Sequence, residues 1–510
     1  MKKLRMTGLL LGVLLAGSVV LACAQDLASF EKRVTKKVLP NGLTVVICER
    51  HEAPVFSFFT HVDVGSDREV PGIRGLAHMF EHMAFKGTDK IGTTNYLAEK
   101  LALAKVEKAY AAYDRERRRE VGRDPKKVAE LEKAWKDAIA AADKYVVKNE
   151  FGEIVEREGG TGLNAFTDSE ETGYFYSFPS NRVELWAYLE SERFLHPVMR
   201  EFYKERDVVN EERRLSSESQ PTGRLIEQFL AASFIAHPYG QPVVGWPADL
   251  QTFSAADAMK FYQEFYVPSN MVVTVVGDVA PREVLPVVER YFDRLAARPQ
   301  PEPLREVEPA QNAERVVTLR EASQPFYVEG YHKPDCRDPD DAVYDVIQDL
   351  MSNGRTSRLY RALVRDKKLA AFSGGFNGFP GQKYPGMFVF FAVPTPSHTP
   401  EEVRAAVQDE IKRLKSEDVS DDELQMVKTR AKADLLRKLD NNQGLAFEMG
   451  IAETRFGDWR ELFRHVEKID KVTKADVRRV ANKTFVESNS TVGYLQSTQL
   501  AGAPPKEVKQ

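Results

Sequence analysis

The stretch RPQPEPLREVEPAQ, residues 298–311, carries Pro299, Pro301, Pro303 and Pro309. No helix or central strand survives that density of residues lacking a backbone N–H. It reads as a stiff, exposed linker, with its bounds set at 299–313, and it divides a chain of 510 residues into domains at 25–298 and 314–498, with a tail at 499–510. Each part is long enough to bury a core of its own. Both open with paired strand signals, pass into a helix bearing glycine and polar residues, and return to strands. VFSFFTHVDVGS…GLAHMFEHMAFKGT in the first parallels PFYVEGYHKPD…VIQDLMSNGRTSRLYRAL in the second. The chain reads as a diverged repeat, carried by element order rather than by residue identity.

Within this frame KKVLPNGLTVVICERH predicts a hairpin turning at Pro40-Asn41-Gly42. A helical period is expected at 72–85, 182–195 and 201–218. Strands and long amphipathic helices mix, which gives the α+β class. Residues 103–156, dense in Ala, Lys, Glu and Arg, break the symmetry of the halves. Asp124 as N-cap and Pro125 at the first helical position start a second helix there, so a helical hairpin inserted into the first domain is expected, its charges forming a solvated face.

The chain starts with an address. Lys2, Lys3 and Arg5 precede an apolar run from Leu9 to Ala22 and then small residues, the pattern of a secretory signal peptide at 1–24. Ala22-Cys23-Ala24 fits small-x-small cleavage, with a mature start at Gln25. Val20-Leu21-Ala22-Cys23 also resembles a lipobox, and a lipid anchor on Cys23 is the preferred reading because a Cys so early has few other reasons to exist. The protein is therefore expected to be exported, to a periplasm or to a membrane surface. With 72 basic and 76 acidic side chains the formal charge is −4, so nothing points to a nucleic-acid partner. Three Cys, at 23, 48 and 336, build neither a disulfide framework nor a thiolate zinc site. Cys48 is expected in a core, and no pairing with Cys336 is supported.

His78-Met79-Phe80-Glu81-His82 is the informative pentapeptide. On a helix, His78 and His82 stand one turn apart and can share one metal ion. Glu81 lies on nearly the same face, close enough to act on a water without being needed as a ligand. Zinc on two imidazoles and a third protein ligand keeps an open position and lowers the pKa of water there towards roughly 7, and a carboxylate can take the proton. KERDVVNEERR offers the third ligand: Glu205 and Glu212 are seven apart, two helical turns, on one face. One can ligate while the other supports a His N–H. Glu211 points about 100° away.

GLAHMFEHMAFKGT, followed by GGTGLNAFT and ERDVVNEE, resembles the pitrilysin/insulinase family of inverted-motif (HxxEH) zinc metallopeptidases, in its two-domain, processing-peptidase-like form. YVPSNMVVTVVGD at 266–278 and NGRTSRLYRALVRDKKLAAF at 353–372 extend the likeness over nearly the whole mature chain. The resemblance implies two homologous domains, each a mostly antiparallel sheet packed with helices, together forming half of a clamshell. It implies one Zn²⁺ per chain on His78, His82 and Glu212, with Glu81 as general base and Glu205 as the supporting acid. Between His82 and Glu212 stand 129 residues, and taking out the inserted hairpin restores the family's spacing. The segment 162–167, with Asn164 and Ala165, resembles the family's edge strand, which binds extended peptide by backbone pairing.

One position departs from the pattern. Complete members carry an Arg and, seven residues on, a Tyr, both of which assist bound peptide. Here Arg365 matches and Phe372 stands in the place of the Tyr. Losing one oxyanion donor costs on the order of 10²–10³ in turnover. Either the enzyme is slow or another subunit completes the site, and two-domain members commonly form homo- or heterodimers. The expectation is thus an exported or lipid-anchored zinc endopeptidase for peptides and unfolded polypeptides. A non-catalytic or partner-dependent scaffold subunit on the same fold is the alternative, and the intact motif counts against it. A small-molecule metallohydrolase is disfavoured because the edge strand suits a polypeptide.

Overall fold

The computed structural model describes residues 27–498; the expected signal segment with Cys23, and the tail, lie outside the described residues. Strands β1 (Val34–Val38) and β2 (Thr44–Glu49) form the hairpin around residues 40–42. Asn41 fixes the turn: its side-chain amide donates to the carbonyls of Phe292 and Leu295, and its Oδ1 accepts from Leu43 N. With β3 (Val55–Val62), β4 (Thr161–Thr167), β5 (Thr172–Pro179) and β6 (Met271–Gly277) they make a sheet ordered β1-β2-β6-β3-β5-β4. The almost unbroken β-branched run of β6 is buried at every residue, as a central strand covered on both faces requires.

The second sheet holds β7 (Arg315–Glu321), β8 (Phe326–Lys333), β9 (Ala370–Phe379), β10 (Gly386–Pro394) and β11 (Ser490–Ser497), ordered β7-β11-β8-β10-β9. Setting β1 aside, both sheets show one parallel pair, β2·β6 or β7·β11, followed by antiparallel pairs in the same chain order. The repeat read from element order is therefore the architecture: two α+β domains of the same topology.

Each sheet packs one face on helices of its own domain and lends the other to its neighbour. The helix Asn442–Phe456 lies on β3 and β6, burying Leu445, Ala446 and Met449 against Val46, Phe59 and Val276. Reciprocally, Pro221–Ser233 lies on β7 and β11, with Leu225 and Phe229 against Val328 and Leu495. Cys48 is in the first of these layers, and both Cys48 and Cys336 are buried free thiols.

The inserted hairpin runs from Tyr96–Arg117 to Pro125–Ala142, capped at Asp124, whose Oδ1 accepts from Lys126 N and Lys127 N. It begins before the expected 103, and the end of the expected stretch is a separate helix, Glu150–Arg157. Most of its charges face solvent, but Glu99 and Glu116 are buried, and Tyr110 and Trp135 are buried and pack on Tyr203, with ring centroids at 4.5 and 5.1 Å. The linker is extended and largely exposed, yet tied down: Glu308 accepts the backbone N–H groups of Ile235, Ala236 and His237.

Candidate metal centre

The motif lies on the helix Leu76–Met83, shorter than the expected 72–85. Leu76, Ala77, Met79, Phe80 and Met83 are buried in the first-domain core, so His78, Glu81 and His82 share the remaining face. Gly75 caps the helix in the left-handed region, at φ 98°, where a Cβ would also lie 2.8 Å from the Val244 carbonyl oxygen. The buried Glu69 carboxylate accepts Gly75 N and Ala77 N, both at 2.7 Å. It sits at the positive end of the helix dipole, where burial pushes it up to about 8 against the opposing pull of the two backbone N–H groups. No periodicity in the sequence marks Glu69, which reaches the helix through a loop.

The second element is the helix Phe202–Arg213. Phe202, Tyr203, Arg206, Val209 and Arg213 are buried, and Glu205 and Glu212 face the motif. Glu212 Oε2 is 3.3 Å from His82 Nε2, and its Oε1 is 3.6 Å from His78 Nε2. One ligand atom from each of His78, His82 and Glu212 lies within 4.8 Å of the other two, the size of a site for a single ion. Glu81 Oε2 is 3.8 Å from His78 Nε2, beside this group rather than part of it. Glu211 turns away and pairs with Arg214. Glu205 Oε2 lies 3.5 Å from His82 Nδ1, while Lys86 binds the other oxygen of Glu205 and approaches Glu201 at 3.6 Å. Lys86 could have been found from its position four residues after His82. Glu201, a non-glycine residue at φ 58°, could not.

Electrostatics suit a cation. Burial pushes the His78 imidazole down to about 4, so it is neutral and free to coordinate. The Glu205 hydrogen bond raises His82. Burial alone would raise Glu205, but His82 and Lys86 outweigh it and hold it below the usual carboxylate range. Glu81 is raised by burial, opposed by a hydrogen bond to Thr167. Among the described residues two other His/carboxylate groups have comparable spacing. In each, a cation from outside the group already holds an acid: Lys90 and Arg294 pair with Glu192, and Lys333 pairs with Asp341. Glu212 meets only the two histidines. Two imidazoles and a carboxylate form an N₂O set that fits zinc with an open position.

Asn164 and Ala165 lie on β4, the free edge of the first sheet, and line a cavity of about 540 Å³ together with Glu81 and His82. Every residue lining that cavity comes from the first domain. Arg365 and Phe372 are not brought to it. Arg365 is exposed and paired with its neighbour Asp366. Phe372 sits on β9, the edge of the second sheet, 57% exposed and packed on Phe391. Both lie in the second domain, Arg365 on the helical turn Tyr360–Asp366 and Phe372 on the strand that follows it, and neither lines that cavity.

Comparison with known proteins bears on the family and the fold. The insulinase (peptidase family M16) model matches residues 44–117, ending where the first hairpin helix ends, and the "Peptidase M16 inactive domain" model matches 252–431. The zinc protease PqqE of Helicobacter pylori is 26% identical over 96% of this chain and 98% of its own. A probable mitochondrial-processing peptidase subunit beta of Arabidopsis thaliana is 24% identical over 92% of this chain and 80% of its own. The crystal structure of a protease from Helicobacter pylori superposes with a TM-score of 0.77 at 25% identity, over 91% of this chain and 99% of that one. The periplasmic protease PqqL from Escherichia coli has the same fold at a TM-score of 0.68 and 18% identity, with 92% of this chain matching 48% of that one. With two models of one family matching residues 44–117 and 252–431 and zinc proteases aligned along its length, the chain belongs to the pitrilysin/insulinase (M16) family of peptidases.

Proposed function

We propose that the protein is an exported zinc endopeptidase that takes extended peptides along the free edge of β4. The observation that carries this is the convergence of His78, His82 and Glu212 within 4.8 Å, with Glu81 alongside and the unpaired edge strand beside them. Zinc bound there supplies Lewis acidity, polarising a carbonyl and making water acidic enough to give up a proton near neutral pH. The chain's own groups do the rest. Glu81, held by Thr167, is placed to receive that proton and pass it to the leaving amine. Glu205 orients the His82 ring through Nδ1. Backbone groups of β4 around Asn164 and Ala165 align the peptide by strand addition. The basic and apolar segment before Gln25 supports export, and the lipobox-like Val20–Cys23 supports anchoring at Cys23.

Zinc content and hydrolysis of an unfolded protein substrate test the reading. Glu81→Gln keeps the zinc and the fold and loses hydrolysis by 10²-fold or more. His78→Ala with His82→Ala loses both. A double variant that keeps full zinc, or a Glu81→Gln protein that cleaves normally, removes the proposal.

A second reading is favoured by Phe372 and by the exposure of Arg365: this chain works in a dimer, where a partner supplies the assisting Arg and Tyr. Phe372→Tyr then leaves the complex unchanged. If the chain works alone, the same substitution raises turnover on a short peptide. Sedimentation of the purified protein together with these rates separates the two.

A further inference from the structure

The edge strand has a second face. Along β4 the side chains alternate: Ala165 is buried on the side of the motif helix, and Thr167 on that side reaches Glu81, whereas Phe166 packs on the opposite side. There Phe59, Phe166, Phe175 and Phe447 surround a cavity of about 390 Å³, with Gln443 and Gly444 at its rim. Phe59 stacks on Phe175 at 5.0 Å and 16°, and Phe447 meets Phe59 at 5.0 Å and Phe166 at 5.9 Å. Phe166, Phe175 and Phe447 are only partly buried, so the rings are open to a guest rather than sealed in a core. Gly173, directly opposite Phe166 on β5, is what admits these rings: a Cβ there would lie 2.3 Å from the Phe166 ring and 2.6 Å from Phe59. Phe447, Gln443 and Gly444 belong to the second-domain helix Asn442–Phe456, so this wall is contributed across the domain boundary.

We propose that this aromatic box is a side-chain pocket for bound peptide, taking an aromatic or large aliphatic residue. The proposal rests on the peptide-binding part of the reading above. Residues paired across neighbouring strands share a face, so a peptide on β4 presents one side chain towards the His82 cavity and the next towards the box. The two pockets therefore read positions whose numbers in the peptide differ by an odd number, adjacent ones first, whichever way the peptide runs. The second domain takes part in substrate choice without touching the metal centre.

The test uses two ten-residue peptides of Ser and Thr, one with Phe at two adjacent positions and one with Phe at two positions separated by a single residue. Equilibrium binding to the zinc-loaded Glu81→Gln protein is measured by fluorescence anisotropy, and hydrolysis with the wild type. The adjacent pair fills both faces and binds about tenfold or more tighter. Phe447→Ala, which opens the box, and Gln443→Trp, which plugs its mouth, each abolish that difference while the affinity for the separated pair holds. Equal affinity of the two peptides overturns the proposal, as does a difference that survives in both variants. If the adjacent pair binds tighter but the wild type cleaves neither peptide, the peptidase reading falls and the pocket stands. If both are cleaved with no difference in binding, the pocket falls and the peptidase reading stands.

Discussion

At the scale of single residues the candidate centre is a layered set of charges. His82 faces Glu212 through Nε2 and Glu205 through Nδ1, and Glu205 is held from behind by Lys86. A carboxylate on the far nitrogen of a ligating imidazole fixes its tautomer and raises its basicity, and losing such a contact typically costs 10–100-fold in metal affinity. Glu205→Gln is expected to weaken zinc binding within that range, and Lys86→Met to weaken it less, because the lysine acts only through the carboxylate. Lys86→Arg keeps the charge and recovers most of the loss. Chelator competition on the folded proteins measures all three, and equal affinities across the series would remove Lys86 and Glu205 from the account.

At the scale of elements, two helices set the geometry, and each is held by something outside itself. The motif helix is capped by Glu69, buried and bonded to two of its first amides. Glu69→Gln keeps an acceptor for one amide and replaces the other with an N–H, leaving a buried donor against a donor. It should destabilise the protein by about 1–3 kcal/mol and lower zinc occupancy with it, as read by denaturant unfolding and metal analysis. The Phe202–Arg213 helix is braced by the inserted hairpin: Tyr203 donates to Glu107 at 2.6 Å, and Arg206 to the Tyr110 hydroxyl at 2.8 Å. The hairpin thus packs against the element that carries Glu205 and Glu212, a role its charged composition does not announce.

At the scale of the whole molecule, the domains meet in a buried network of charges at the β4–β5 turn. Glu170 accepts from Lys383 N and pairs with Arg455, Glu171 pairs with His61, and Lys383 pairs with Asp63. Asp168 sits beside this network, its Oδ1 accepting Glu170 N and Glu171 N. Burial, with the Glu171 and Glu170 carboxylates next to it, pushes Asp168 up to about 7. The folded chain therefore holds a proton that the unfolded chain has released at the usual carboxylate pKa. This contribution to stability is fully present below about pH 4 and is lost as the pH rises to about 7. Asp168→Asn keeps the accepting oxygen and removes the charge. Its melting temperature is expected to exceed that of the wild type at pH 8, by less at pH 5, and to converge with it below about pH 4. Parallel melting curves across that range would show that Asp168 titrates normally.

Much of this protein was legible in its residues because the relevant patterns are local. A helical turn places His78 over His82, two turns place Glu205 over Glu212, and prolines mark the break between halves whose element order repeats. What the sequence could not settle was which distant groups meet, since contact between segments far apart depends on packing rather than on period. Packing brings Glu212 to the histidines across the inserted hairpin, puts Glu69 beneath the motif helix, and leaves Arg365 and Phe372 in the second domain. Packing also lays a second-domain helix over the first sheet, where Phe447 closes a box around rings that the sequence shows only as scattered aromatics. Spacing along the chain determined the ligand pairs; burial of the two sheets against each other's helices decided what surrounds them.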